Sequence, residues 1–147
     1  METLARMNAR EFASHLPFSK DAFDMTFDGA MKADPTVFVA GLGEDLVGYL
    51  TARMVAYAAA AGFFTNQEVI YVRPDKRGTR AAVSLLRTFV EWSREIGARE
   101  AFMGTSTNFQ PERTARLMEH VGARRVGESR AADVADHADD LGGAPVA

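Results

Sequence analysis

Ile70-Tyr71-Val72-Arg73-Pro74-Asp75-Lys76-Arg77-Gly78-Thr79-Arg80-Ala81-Ala82-Val83-Ser84-Leu85-Leu86 is the stretch whose reading decides the fold. Val69 to Val72 is β-branched and aromatic, which predicts a strand. Pro74 ends it, because proline has no N–H to give a ladder. A helix follows, from about Thr79 to Ile96. Ala82, Leu85, Leu86, Phe89, Ser93 and Ile96 share one of its faces, and Gly97 stands at its C-terminal cap. The unpaired N–H groups at a helix start point at whatever lies beyond them, and the helix dipole adds positive potential there. Lys76 and Arg77 add full charges, Gly78 lets the backbone come close, and Ala81 and Ala82 leave the amides unshielded. Strand, basic turn and helix together predict a phosphate or pyrophosphate cradle without a P-loop lysine. A basic turn that only caps the helix would use the same residues, and both readings stand at this point.

Working outward, residues 2–16 predict a helix ended by Pro17. Ser19 is placed to cap a second helix, with Phe23, Phe27, Ala30 and Met31 on one face and Asp34-Pro35 as its stop. Val37 to Val39, the turn-rich Gly41 to Asp45, and Leu46 to Met54 predict a β-hairpin. Residues 55–65 read equally as strand, helical turn or loop. Beyond the long helix, Ala101 to Gly104 predicts a short strand and Thr105 to Gln110 a polar loop. A further helix opens at Pro111, buries Thr114, Leu117, Met118 and Val121, and ends at Gly122. Arg124 to Gly127 is a candidate for one more short strand. This order predicts an α/β (α+β, three-layer) domain over residues 1–129. Residues 130–147 are mostly Ala, Asp and Gly without periodicity, and predict a disordered acidic tail.

The chain has 147 residues, enough for one domain. It contains no cysteine, which excludes a disulfide scaffold, a cysteine-ligated metal and a cysteine nucleophile. His15, His120 and His137 have no metal-ligand spacing, and no metal is predicted. The longest uncharged stretch, Met54 to Gln67, is too short to span a membrane, and no secretory signal is visible, so a cytoplasmic location is the default expectation. A net charge of −3 argues against a general nucleic-acid binder. Against that acidic background Arg73, Lys76, Arg77 and Arg80 cluster around a single acid, Asp75, which suggests a site for a small anion.

At this point the sequence resembles a known family. Tyr71 to Ala82 is similar to the V-x-P-x-x-R-G-x-G-x-G/A signature of the GNAT superfamily of acyl-CoA-dependent N-acetyltransferases. Leu85-Leu86, Glu91-Trp92 and Gly97-Ala98 resemble the helix that follows it. Glu112 to Ala123 is similar to the family's N-x-x-A-x-x-L-Y-x-x-x-G-F helix. The resemblance covers about Val37 to Gly127, and short bacteriophage members have a similar layout. It implies a mixed, mostly antiparallel sheet flanked by helices, with shortened N- and C-terminal ends. It also implies acetyl-CoA as co-substrate, held by the backbone of Lys76, Arg77, Gly78, Thr79, Arg80, Ala81 and Ala82. Val72 falls where a backbone N–H meets the acyl carbonyl, and Asn108 where the pantetheine or a water is oriented. The family's second loop glycine is Arg80 here, its usual acidic tyrosine is Met118, and its helix-opening asparagine is Pro111.

Acyl transfer to an amine needs a base for the amine proton and a donor for the carbonyl oxygen. Glu68, four residues before Val72, resembles the position of a catalytic glutamate in some members. It reads equally as a strand-end carboxylate at the surface. Thr105 to Asn108 reads as a ligand-orienting cluster or as a solvated loop. Asp21, Asp24 and Asp28 form a helical stripe that either attracts a cationic amine or faces water. The expectation is therefore acetyl transfer to a primary amine by direct attack. The alternatives are a non-catalytic acyl-CoA-binding or structural module and a protein-interaction domain. A sheet with missing end strands leaves an open edge, which predicts a homodimer.

Overall fold

Backbone pairing starts from two long strands whose alternating residues face two separate cores. In the computed structural model, which describes residues 1–13, 16–32, 36–104 and 111–126, β1 is Val37–Leu42, β2 is Asp45–Ala56 and β3 is Phe63–Val72. They pair antiparallel in order, and the short β4, Ala101–Phe102, pairs parallel to β3. Residues 55–65, ambiguous in the sequence, finish β2 and start β3. The turn between them closes with the Tyr57 N–H on the Gly62 carbonyl at 3.3 Å.

On one face of the sheet lies α3, Ala81–Glu95. Leu85, Leu86, Phe89 and Trp92 pack on Val47, Leu50, Ala52 and Val72, and Met118 of α4, Pro111–His120, joins the same core. Leu86 and Phe89 are fully buried, and each such side chain contributes about 1.5–3 kcal/mol relative to exposure. The other face is covered by α1, Glu2–Phe12, through Leu4 on Tyr49 and Tyr71, with Met7, Phe12 and Val69 around them. The layering is thus helix, sheet, helix, as the order of elements predicts. Helix α2, Lys20–Lys32, is capped by Ser19, whose Oγ accepts from the Ala22 N–H at 3.2 Å. Its Met31, read from the sequence as sharing one face with Phe23 and Phe27, is exposed.

Three expectations need correction. Helix α1 stops at Phe12, where Ala13 leaves helical angles (φ −134°, ψ 39°) before Pro17 is reached. Strand β4 is half the expected length, because β3 turns away from it and Met103 and Gly104 have no ladder partner. Arg124 to Val126 form no strand. Asn108, the rest of the loop at 105–110, and the predicted tail at 130–147 lie outside the described residues.

Candidate active site

Strands β3 and β4 pair only at Thr65 with Ala101 and Asn66 with Phe102, then separate. The divergence has a local cause. Thr51 of β2 faces Val69, but the next residue, Ala52, faces Gln67, so Glu68 is an extra residue in β3. Such a bulge bends the strand and re-aims its side chains. Gln67 keeps to the buried side of the gap, where its Oε1 accepts the Gly104 N–H at 3.2 Å. A side-chain amide therefore replaces the missing ladder bond. The Glu68 carboxylate meets the Arg53 guanidinium at 3.2 Å, on the sheet face that carries Val69, Tyr49 and Tyr71.

The gap opens into a cavity of about 1300 Å³. Its floor is Gln67 to Val72. One wall is the turn Lys76 to Thr79 with Ala82 and Val83. A second is Arg113, Thr114, Arg116, Leu117 and His120 of α4, and a third is Asn8, Ala9, Glu11 and Phe12 of α1. Glu68 and the basic turn, singled out separately in the sequence, thus border one space.

The turn is built for backbone donation. Pro74–Lys76 is a single 3₁₀ turn, which the Arg77 N–H closes on the Pro74 carbonyl at 3.3 Å. The Thr79 hydroxyl donates to the Lys76 carbonyl at 2.8 Å and accepts the Ala81 N–H at 3.3 Å. The first helical bond runs from the Ser84 N–H to the Arg80 carbonyl. Among the described residues, the N–H groups of Gly78, Arg80, Ala82 and Val83 donate to nothing. Gly78 has φ +89°, which favours glycine, and a side-chain carbon there would stand 3.8 Å from the Arg113 guanidinium. Val72 stands at the mouth of the gap. Because the Arg73 N–H donates to Val47 of β2 at 2.9 Å, strand alternation turns the Val72 N–H and carbonyl the other way, into the gap.

Arg77 departs from expectation. Its guanidinium forms a two-pronged pair with Glu11 of α1, both bonds at 2.6 Å, and its Nε donates to the Val72 carbonyl at 3.1 Å. It lies near the rings of Phe12 and Tyr71, at 5.9 and 5.8 Å. Its charge is thus balanced within the protein. Arg73 is likewise held by Asp75, at 3.0 and 2.7 Å, and that contact keeps the Asp75 carboxyl below the ordinary carboxylate range. Met118 is buried in the core below α3. The acidic stripe of α2 is partly neutralised by Lys20, which bonds Asp24 at 2.5 Å. The sequence reading missed Glu11, Asn8, Gln67, Arg113 and Arg116 as residues that line the cavity. Arg113, Arg116 and His120 stand at i, i+3 and i+7, a spacing that marks them as one helical face. Nothing in the sequence around Glu11 marks its partner.

Among the described residues, no group of acidic, histidine or cysteine side chains is arranged to hold a metal ion, and no helix is long and apolar enough to cross a membrane. A family model described as "Acetyltransferase (GNAT) family" matches residues 2–122. Three solved structures share the fold. An integron cassette protein from the mobile metagenome of Cole Harbour Salt Marsh is 16% identical, with 91% of this chain and 84% of that one covered and a TM-score of 0.71. An acetyltransferase of Trypanosoma brucei is 18% identical, with 81% and 82% covered and a TM-score of 0.62. A transcriptional regulator from Bacillus halodurans C-125 is 20% identical, with 82% and 83% covered and a TM-score of 0.67. No curated protein sequence matches the chain.

Proposed function

The chain belongs to the GNAT acetyltransferase family, and on that premise we propose that it transfers the acetyl group of acetyl-CoA to a primary amine by direct attack, with Glu68 as the base. The observation that supports this reading most is the β3–β4 gap, which brings the bulged Glu68 and the undonated N–H groups of the basic turn to one cavity.

The residues present suit the co-substrate. Gly78, Ala82 and Val83 line the cavity and offer N–H groups to a pyrophosphate, Lys76 and Arg113 stand beside them, and the undonated N–H of Arg80 belongs to the same turn. The small side chain of Ala82 leaves that backbone uncovered, whereas Ala81, expected to do the same, is buried in the core with its N–H held by Thr79. Thr79 shapes the turn through its hydroxyl. Asn108 remains a proposed pantetheine contact. When bound, acetyl-CoA supplies the activated acyl carbon as a thioester. The Val72 N–H, turned into the gap, is placed to donate to the acyl oxygen. An alkylamine with a pKa near ~10 is almost wholly protonated at neutral pH, so its proton must be removed before attack. The Glu68 carboxylate takes that proton while Arg53 fixes its orientation. The new C–N bond forms, the C–S bond breaks and the thiolate leaves, while the second proton of the attacking nitrogen passes to the departing thiolate or to water. The chain has no cysteine to hold an acyl group on the way. With a thiol pKa of about 8.5 the leaving thiolate is stable enough to depart without a dedicated acid. Met118, in the position of the family's usual tyrosine, supplies none.

Burial of Met118 motivates a second reading, a coenzyme-binding module without turnover. Release of free thiol from acetyl-CoA is measured with a panel of mono- and polyamines, alongside the melting temperature with and without acetyl-CoA. Stabilisation with amine-dependent thiol release is the expected outcome. Stabilisation alone favours the second reading, and no stabilisation at millimolar acetyl-CoA removes both.

A further inference from the structure

We infer that Glu11 and Arg77 form a latch that couples the proposed coenzyme loop to helix α1, so that a ligand on the loop also fixes the opposite wall of the cavity. The inference rests on the acetyltransferase reading of that loop and adds positioning roles to two residues.

Arg77 belongs to the loop by its backbone, between the 3₁₀ turn and Gly78. Its side chain leaves the loop and touches two other elements. The Nε holds the Val72 carbonyl at 3.1 Å, at the end of β3, and the two terminal nitrogens hold both oxygens of Glu11 on α1 at 2.6 Å. The planar guanidinium is suited to this geometry, because its fork matches a carboxylate and leaves Nε free for a third acceptor. Both side chains are only 25% exposed, so solvent screens the pair less than it would at the open surface. The Tyr71 hydroxyl adds a long contact to Glu11 at 3.4 Å.

Nearer its start, α1 meets the sheet mainly through apolar side chains. Beyond the apolar contacts of Leu4, Met7 and Phe12, the Asn8 amide donates to the Tyr49 hydroxyl at 2.9 Å. The Glu11 pair stands in the last turn of the helix, next to the break at Ala13. A helix end that stops in a break opens easily unless something fastens it. Fixing the loop fixes the Arg77 backbone, the guanidinium follows, and Glu11 with the end of α1 is drawn into place. Phosphate binding by the Arg77 side chain would need the opposite event, release of Glu11.

Hydrogen–deuterium exchange of the full chain, read at the amides of Glu2–Phe12 with acetyl-CoA as probe, tests this. In the wild type, acetyl-CoA slows exchange across α1. Arg77→Gln and Glu11→Gln each speed α1 exchange in the free protein, by about five- to tenfold, and abolish the slowing by acetyl-CoA. The double variant is no faster than either single one, because both remove the same contact. Arg77→Lys, which keeps the charge but not the fork, restores part of the protection, and the exchanged pair Glu11→Arg with Arg77→Glu restores more. If the Arg77 side chain is a phosphate ligand instead, Arg77→Gln weakens acetyl-CoA binding by about tenfold, Glu11→Gln strengthens it, and α1 exchange in the free protein stays the same. That pattern overturns the latch. A wild type that does not bind acetyl-CoA removes the acetyltransferase reading, and exchange in the free protein then decides the latch alone.

Discussion

Glu68 stands as the extra residue of a β-bulge, with its carboxylate on Arg53 and on the cavity side of β3. Glu68→Gln keeps the shape and removes the base. Turnover on a genuine amine acceptor is expected to fall by about 10²–10⁴-fold with acetyl-CoA affinity unchanged. The rate of the variant should climb with pH, as more of the amine loses its proton unaided. Steady-state kinetics from neutral to alkaline pH, with a parallel binding titration, checks both parts, and wild-type turnover in the variant would remove Glu68 from its role. Tyr49 gives a second test. Burial raises its hydroxyl pKa, opposed by the Asn8 hydrogen bond, and burial followed by the Glu11 charge raises that of Tyr71. A raised pKa in the folded state means that above pH ~10 the folded chain holds protons that the unfolded chain has released. This contribution to stability is complete below pH ~10 and is lost as pH rises through the folded values. Tyr49→Phe should therefore flatten the alkaline fall in melting temperature, and an unchanged fall would count against this account.

Among the elements, the β2–β3 pair decides the most. Gly48 of β2 faces Val72, and a side-chain carbon there would stand 2.7 Å from the Tyr71 carbonyl oxygen and 3.1 Å from Val72. A paired backbone cannot retreat as a flexible side chain can. Gly48→Ala is thus expected to cost about 1–3 kcal/mol, read as a lower denaturation midpoint, and to widen the strand end next to the gap. A neutral result would show that the pair shifts freely. The same pair explains which elements were legible in the sequence. Val69 to Val72 is β-branched and aromatic and the face of α3 is periodic over several turns, and the structure makes them strand and helix, with β3 starting earlier than read, at Phe63. The bulge at Glu68 has no such pattern, because register is set by the partner strand. Its consequence, a β4 of two residues with Gly104 bonded to a side chain, was equally invisible.

At the scale of the whole molecule, three layers put an undonated helix start, a strand gap and α1 around one cavity. Binding of acetyl-CoA there should raise the melting temperature, by an amount equivalent to about 2.7 kcal/mol at a hundredfold excess over Kd. Thermal unfolding across a coenzyme titration measures it, and a flat titration would oppose the assignment. Strand β1 lies at one end of the described sheet with Val39 and Leu42 exposed on it. We propose that this edge pairs with a second copy. Sedimentation is expected to find a dimer, which Val39→Lys weakens, whereas a monomer at high concentration would oppose it. By itself the sequence determined the layered α/β order and the strand–turn–helix at Ile70 to Leu86, because these follow from local periodicity and turn chemistry, and two of its motifs resemble the family to which the chain belongs. Only the tertiary structure decided that Arg77 answers to Glu11 and that Glu68 is lifted out by a bulge. An arginine's partner is whichever carboxylate the folded chain brings within reach, and here it lies on another helix far away in sequence, where no local pattern records it.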